Sequence, residues 1–339
     1  MPKRNSVNDT MQNERRDDTQ ECGQNCSFKT SIGGQALMEG VMMRGPKVTA
    51  AAVRNPQGEI VVKEEPTTFI SRKYPIFKIP LLRGVAGFIE SMAVGYRMLM
   101  YSAEISTTEE QKEEEMSKVD LWMEKHLGDK AMKVIGAVGM VLGLCLAIGL
   151  FFWLPTVLFN LIPNVASGGH PLAAWRSVFE GVFRILIFLL YMVLISQMKD
   201  IRRLFQYHGA EHKTIFCYEN RQELTVENVR AKSRFHPRCG TSFLILILLI
   251  GILLGFFIQT PSPWLRTLIK ILLLPLVMGI GYELIKLCGK YDNIVTRIIA
   301  APGLWMQRLT TKEPDDSMME VAIAAMKKVI PENGEDIIR

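Results

Sequence analysis

Phe243-Leu244-Ile245-Leu246-Ile247-Leu248-Leu249-Ile250-Gly251-Ile252-Leu253-Leu254-Gly255-Phe256-Phe257-Ile258 contains no charged residue. A helix this apolar on every side has no face to offer water, so the stretch reads as membrane-spanning. Working outward, three more segments follow the same logic. Val134 to Leu154 precedes Pro155, and Val178 to Ile195 carries Glu180 and Arg184 near its start. Leu265 to Ile285 is interrupted by Lys270 and Glu283, which leave an uncharged centre of 12 residues. At the helical rise that centre covers about 18 Å, so the segment must snorkel its charges, pair them, or be re-entrant. The 339 residues, 48% of them hydrophobic, are therefore expected to form a mainly α, multi-pass membrane protein with about four transmembrane helices.

Basic residues set the expected orientation. Lys199, Arg202, Arg203, Lys213, Arg221, Arg230, Lys232, Arg234 and Arg238 lie between the second and third spans, whereas only Arg176 lies between the first and second. By the positive-inside rule the loop 197–242 and both termini face the cytoplasm of a cell (inner) membrane. The net charge of +6 then suits contact with anionic membrane lipids, and no nucleic-acid partner is expected. Cys22, Cys26, Cys145, Cys217, Cys239 and Cys288 show no disulfide framework, consistent with a reducing compartment.

The chemistry concentrates in that loop. His208-Gly209-Ala210-Glu211-His212 places two histidines at i and i+4, so on a helix both imidazoles share one face. His-x-x-Glu-His is also the inverted zinc-protease order, in which the histidines bind Zn²⁺ and the glutamate serves as base toward water. A second cluster, His236-Pro237-Arg238-Cys239, sits at the foot of the next span and offers nitrogen and thiolate donors that suit zinc. The candidate ligands are His208, His212, His236 and Cys239, with Glu211 as candidate catalytic base, and Arg238 is expected to help hold Cys239 deprotonated. Glu39, Arg44 and Glu219 are further candidates for supporting the ligands or touching substrate. Four protein ligands would make a closed structural site, and three would leave a position for chemistry; both remain open.

Flanking modules complete the plan. Residues 1–30 are polar and read as a disordered tail, and 31–70 as a small cytoplasmic β module, with Asn55-Pro56-Gln57-Gly58 turning between two strands. Residues 71–133 read as interfacial helices and an acidic linker, in which Arg83, Glu90, Arg97 and Glu104 recur every seven residues as a narrow charged stripe. The membrane bundle occupies 134–290. In 291–339, Ile294 to Leu309 suits a second interfacial element, and Ser317 with Glu320 looks like a capping box opening a last helix.

Four segments carry a resemblance to a known family. Gly33-Gly34-Gln35-Ala36-Leu37-Met38-Glu39-Gly40-Val41-Met42-Met43-Arg44-Gly45-Pro46, Tyr207-His208-Gly209-Ala210-Glu211-His212-Lys213, His236-Pro237-Arg238-Cys239-Gly240-Thr241-Ser242-Phe243 and Gln307 to Pro314 resemble the YqhQ-like family of bacterial membrane proteins. The resemblance spans roughly residues 30 to 330. It implies a domain of unknown function described as a predicted metal-dependent enzyme, and it draws Glu39 and Arg44 toward the proposed site. The leading expectation is a zinc-dependent hydrolase at the cytoplasmic membrane face, acting on a lipid-linked or membrane-protein substrate. A non-catalytic scaffold clamped by a structural metal is the alternative, with a transporter third.

Overall fold

The computed structural model of the chain describes residues 28–108, 138–162, 175–260, 262–291 and 293–338. The expected disordered tail, but for its last three residues, and the acidic run Glu109 to Glu115 lie outside them. Strands β1 (Gly33–Leu37), β2 (Gly40–Arg44), β3 (Val48–Arg54) and β4 (Ile60–Pro66) form one antiparallel meander in sequence order. Period-2 alternation divides its side chains between two cores. Leu37, Met42, Ala51 and Val53 pack against Met98 of helix α1 (Leu82–Ser106), while Val41, Met43, Ala50 and Ala52 belong to the core on the opposite face. A one-residue slip of register would exchange these two sets.

The charged stripe on α1 is not simply a solvated face. Arg83 pairs with Glu283, Glu90 with Arg44, and Arg97 with Glu65, so every second turn is tied to a different part of the chain.

The membrane part departs from the expected four spans. Helix α2 (Val138–Asn160, 23 residues) and helix α3 (Arg176–Ile195, 20 residues) are long and apolar enough to cross a bilayer. Near the middle of α2 the turn widens over Gly149–Trp153, just before Pro155, whose missing N–H interrupts the α-helical ladder. After α4 (Lys199–Glu219) comes α5 (Gly240–Gly255), apolar but only 16 residues, or about 24 Å at the helical rise. The fourth expected span is broken: α6 (Pro263–Leu272) and α7 (Leu274–Lys290) bend by 45° at Leu273, beside Pro275 in the first turn of α7. The described residues thus hold two helices able to span a membrane, or three if the bent pair counts as one, and this marks the chain as a membrane protein.

Helices α8 (Ile294–Thr310) and α9 (Asp316–Val329) close the chain. Ser317 does not cap α9. Asp315 does, accepting from the Met318 N–H at 3.0 Å, while Ser317 Oγ donates to Asp315 at 2.6 Å and Glu320 pairs with Arg54. Asp315 wins because its carboxylate is the stronger acceptor and sits where the helix N–H groups converge. Met318, Met319, Ala322, Ile323 and Met326 bury the apolar face of α9 against the sheet and α4.

Candidate metal centre

Helix α4 supplies the first two donors. His208, half-buried, and His212 stand one turn apart with ring centroids at 4.4 Å, and the buried run Gly209 to Ile215 holds this part of the helix between β1, β2 and α9. Gly209 is needed for that packing, because a Cβ there would lie 2.1 Å from the Lys312 carbonyl oxygen. The strap from α8 to α9 can therefore run directly across α4, where the Lys312 N–H donates to the Phe205 carbonyl at 2.8 Å.

Backbone carbonyls orient both imidazoles. His208 Nδ1 lies 2.8 Å from the Thr310 carbonyl oxygen, and His212 Nδ1 lies 2.6 Å from that of Arg234. A carbonyl can only accept, so each ring carries its proton on Nδ1 and presents a bare Nε2. His208 Nε2 faces Cys239 Sγ at 3.1 Å, and the buried His212 Nε2 has no hydrogen-bond partner among the described residues. One donor atom each from His208, His212 and Cys239 lie within 4.8 Å of one another. Two imidazole nitrogens and a cysteine sulfur converging in this way fit a soft or borderline divalent ion such as zinc.

Cys239 also caps α5. Its sulfur accepts from the Thr241 N–H at 3.4 Å and lies 3.2 Å from Thr241 Oγ1. Burial alone would push the thiol up, but the His212 imidazole and the Thr241 groups outweigh it and hold it below its ordinary range. Burial, helped by neighbouring His208, pushes the His212 pKa down against the pull of Cys239, towards the form that binds metal.

Glu211 points along the same wall. It is buried beneath β1, where a Cβ on Gly34 would come within 2.9 Å of its carboxyl carbon, so only glycine lets the strand lie so close. Its Oε2 has no partner, and burial pushes its pKa up to about 8 against the opposing pull of His208. The carboxyl is therefore neutral near pH 7 when no cation is beside it. Glu211, His208 and Cys239 border a cavity of about 860 Å³, walled largely by apolar groups including Phe77, Phe88, Phe205, Phe243 and Tyr282.

The remaining candidates fall in different places. His236 is not one of the three grouped donors although its ring lies 5.6 Å from that of His212: its Nε2 lies 3.5 Å from Glu219, and its ring packs on Phe216 with centroids at 4.6 Å. Arg238 turns away from the thiol, contrary to expectation, to pair with Glu219 and to donate to the Thr30 carbonyl at 2.9 Å. Burial raises the Glu219 carboxyl, but His236, Arg238 and the Thr30 N–H bring it below its usual range. Glu39, at the β1–β2 turn, pairs with Arg203 and accepts from Tyr207 Oη at 3.1 Å, outside the cavity. Arg44 does reach the cavity, where it pairs with Glu90 at 3.2 Å.

One positioning residue gave little sign of itself in the sequence. Gln307 on α8 is fully buried and accepts from the His236 N–H at 2.7 Å. Its amide donates to the His236 carbonyl at 2.6 Å and to Ser242 Oγ at 3.1 Å. The side chain thus fastens the turn that delivers Cys239. A lone amide in the apolar run Ile294 to Leu309 was the available signal.

The comparisons with known proteins name no reaction. No solved structure matches the chain. It is 35% identical over 304 residues, 88% of its own length and 92% of the relative's, to the uncharacterized protein YqhQ of Bacillus subtilis (strain 168). Residues 79–332 match the family model described as "Protein of unknown function (DUF1385)", and the chain belongs to that family.

Proposed function

We propose that the protein is a zinc-type metalloenzyme at the cytoplasmic face of the bacterial inner membrane, hydrolysing a lipid-linked or membrane-embedded substrate. One observation carries this reading: the two bare Nε2 atoms and the Cys239 thiol meet beside a largely apolar cavity that Glu211 also borders. Three protein donors leave room in a tetrahedral shell, which is the arrangement of catalytic rather than closed sites. A bound divalent ion would supply Lewis acidity at that wall. Glu211, whose Oε2 has no hydrogen-bond partner among the described residues, would, once ionised beside the cation, take a proton from water and return it to a leaving group. The aromatic and aliphatic walls would hold the apolar part of a substrate and exclude bulk water.

A structural clamp is the second reading. It is favoured by the way the donors join α4 to the start of α5, while the Thr310 carbonyl links both to α8. Glu211→Gln separates the two. An enzyme keeps its metal and loses the ability to complement a strain lacking the gene, whereas a clamp keeps both. Retained complementation by the glutamine variant would overturn the hydrolase reading.

A further inference from the structure

A second cluster of ionisable groups lies inside the membrane part, away from the metal centre. Glu180 is 2% exposed and is shared by three cations: Arg176 at 2.9 Å, Arg266 at 2.9 Å and Lys270 at 2.5 Å. Arg184 is a fourth cation, 5% exposed and one turn further along α3. Its Nε donates to the Phe151 carbonyl at 2.7 Å, the acceptor from which Pro155 withdraws the α-helical partner. Its Nη2 is buried without a hydrogen-bond partner, and no carboxylate reaches it among the described residues. At the helical rise Arg184 sits about 12 Å beyond Arg176, the first residue of α3. Three cations on one carboxylate, with a fourth beside them that has none, leave an excess of buried positive charge, which is costly unless an anion joins them.

There is space for that anion. Arg184 and Lys270 both border a cavity of about 260 Å³, otherwise walled by apolar groups such as Phe188, Ile247, Leu254 and Val277. Gly251 lines the cavity next to the guanidinium, where a Cβ would stand 3.8 Å from Arg184 Nη1 and a longer side chain would enter the space. The volume is small for a ligand pocket, which typically holds roughly 300–1,000 Å³, so it suits one oxyanion and a single chain rather than a two-chain lipid. An arginine fork beside an ammonium is a strong receptor for a carboxylate.

We propose that this cavity is a binding site for a carboxylate-type oxyanion, free or at the head of a single-chain amphiphile whose tail lies along the apolar wall. The site is independent of the metal centre.

The test is thermal unfolding of purified full-length protein in an uncharged detergent, titrated with decanoate, decanol or acetate. Decanoate should raise the unfolding temperature saturably and decanol should not. Acetate matching decanoate would identify a free anion as the ligand, and a response to decanoate alone would identify an amphiphile. Arg184→Met should weaken decanoate binding by about tenfold or more, as expected for loss of a charge-assisted hydrogen bond. Gly251→Leu keeps the charges and fills the cavity, so it should abolish the response even if the arginine variant does not fold. His208→Ala should leave the response intact. The proposal is overturned if neither anion shifts the wild type, if decanol matches decanoate, if Gly251→Leu responds normally, or if His208→Ala abolishes the response.

Discussion

Replacing Gln307 with leucine should damage the metal centre without touching a ligand. The substitution removes the acceptor of the His236 N–H and the donor to the His236 carbonyl, and both groups belong to a buried residue. Each orphaned group costs about 1–3 kcal/mol, so the variant should lose roughly 2–6 kcal/mol. Scaled as for a large domain, that is a fall of about 4–12 °C in unfolding temperature. Freed from α8, the segment 236–239 no longer fixes the Cys239 sulfur against His208, and zinc affinity should fall by about 10–100-fold, as for other groups that orient ligands. Unfolding in uncharged detergent and competition with a chromophoric zinc chelator measure the two effects separately. A variant within about 1 °C of wild type and with unchanged zinc affinity would refute the positioning role.

Gly34→Val should force β1 off Glu211 and cost about 1–3 kcal/mol by overpacking, read as a lower unfolding temperature. Asp315→Ala should cost about 1 kcal/mol through loss of the α9 cap. Burial raises the Asp315 carboxyl, but Ser317, the Met318 N–H and Arg203 together pull it below its ordinary value. Its contribution is therefore complete above the unfolded-state pKa of about 3.9 and lost as pH falls through the lower folded value, so variant and wild type should converge in acid. If α5 crosses the membrane, a cysteine placed at exposed Gln259 in a chain freed of its native cysteines should react with an impermeant maleimide from outside intact cells. Labelling only after lysis would show that α5 turns back.

The metal centre was partly legible in the sequence because helical spacing alone brings His208 and His212 to one face, and Cys239 lies at the foot of the next helix. What spacing could not convey was choice among neighbours. His236 and Cys239 are three residues apart, yet Gln307 and Glu219 hold the histidine aside while the cysteine caps α5 toward α4. Gln307 is 71 residues from its partner, beyond any local pattern. The membrane part was legible as composition but not as geometry, since hydropathy counts apolar residues and is blind to the bend at Leu273. The α1 stripe likewise had a visible period, but its partners at Glu283, Arg44 and Glu65 come from tertiary packing.

Metal analysis of the purified protein tests the central claim most directly. Wild type and His236→Ala should each carry about one divalent ion per chain, while His208→Ala, His212→Ala and Cys239→Ser should carry little. Equal metal content in the wild type and the three donor variants would contradict the assignment of the site.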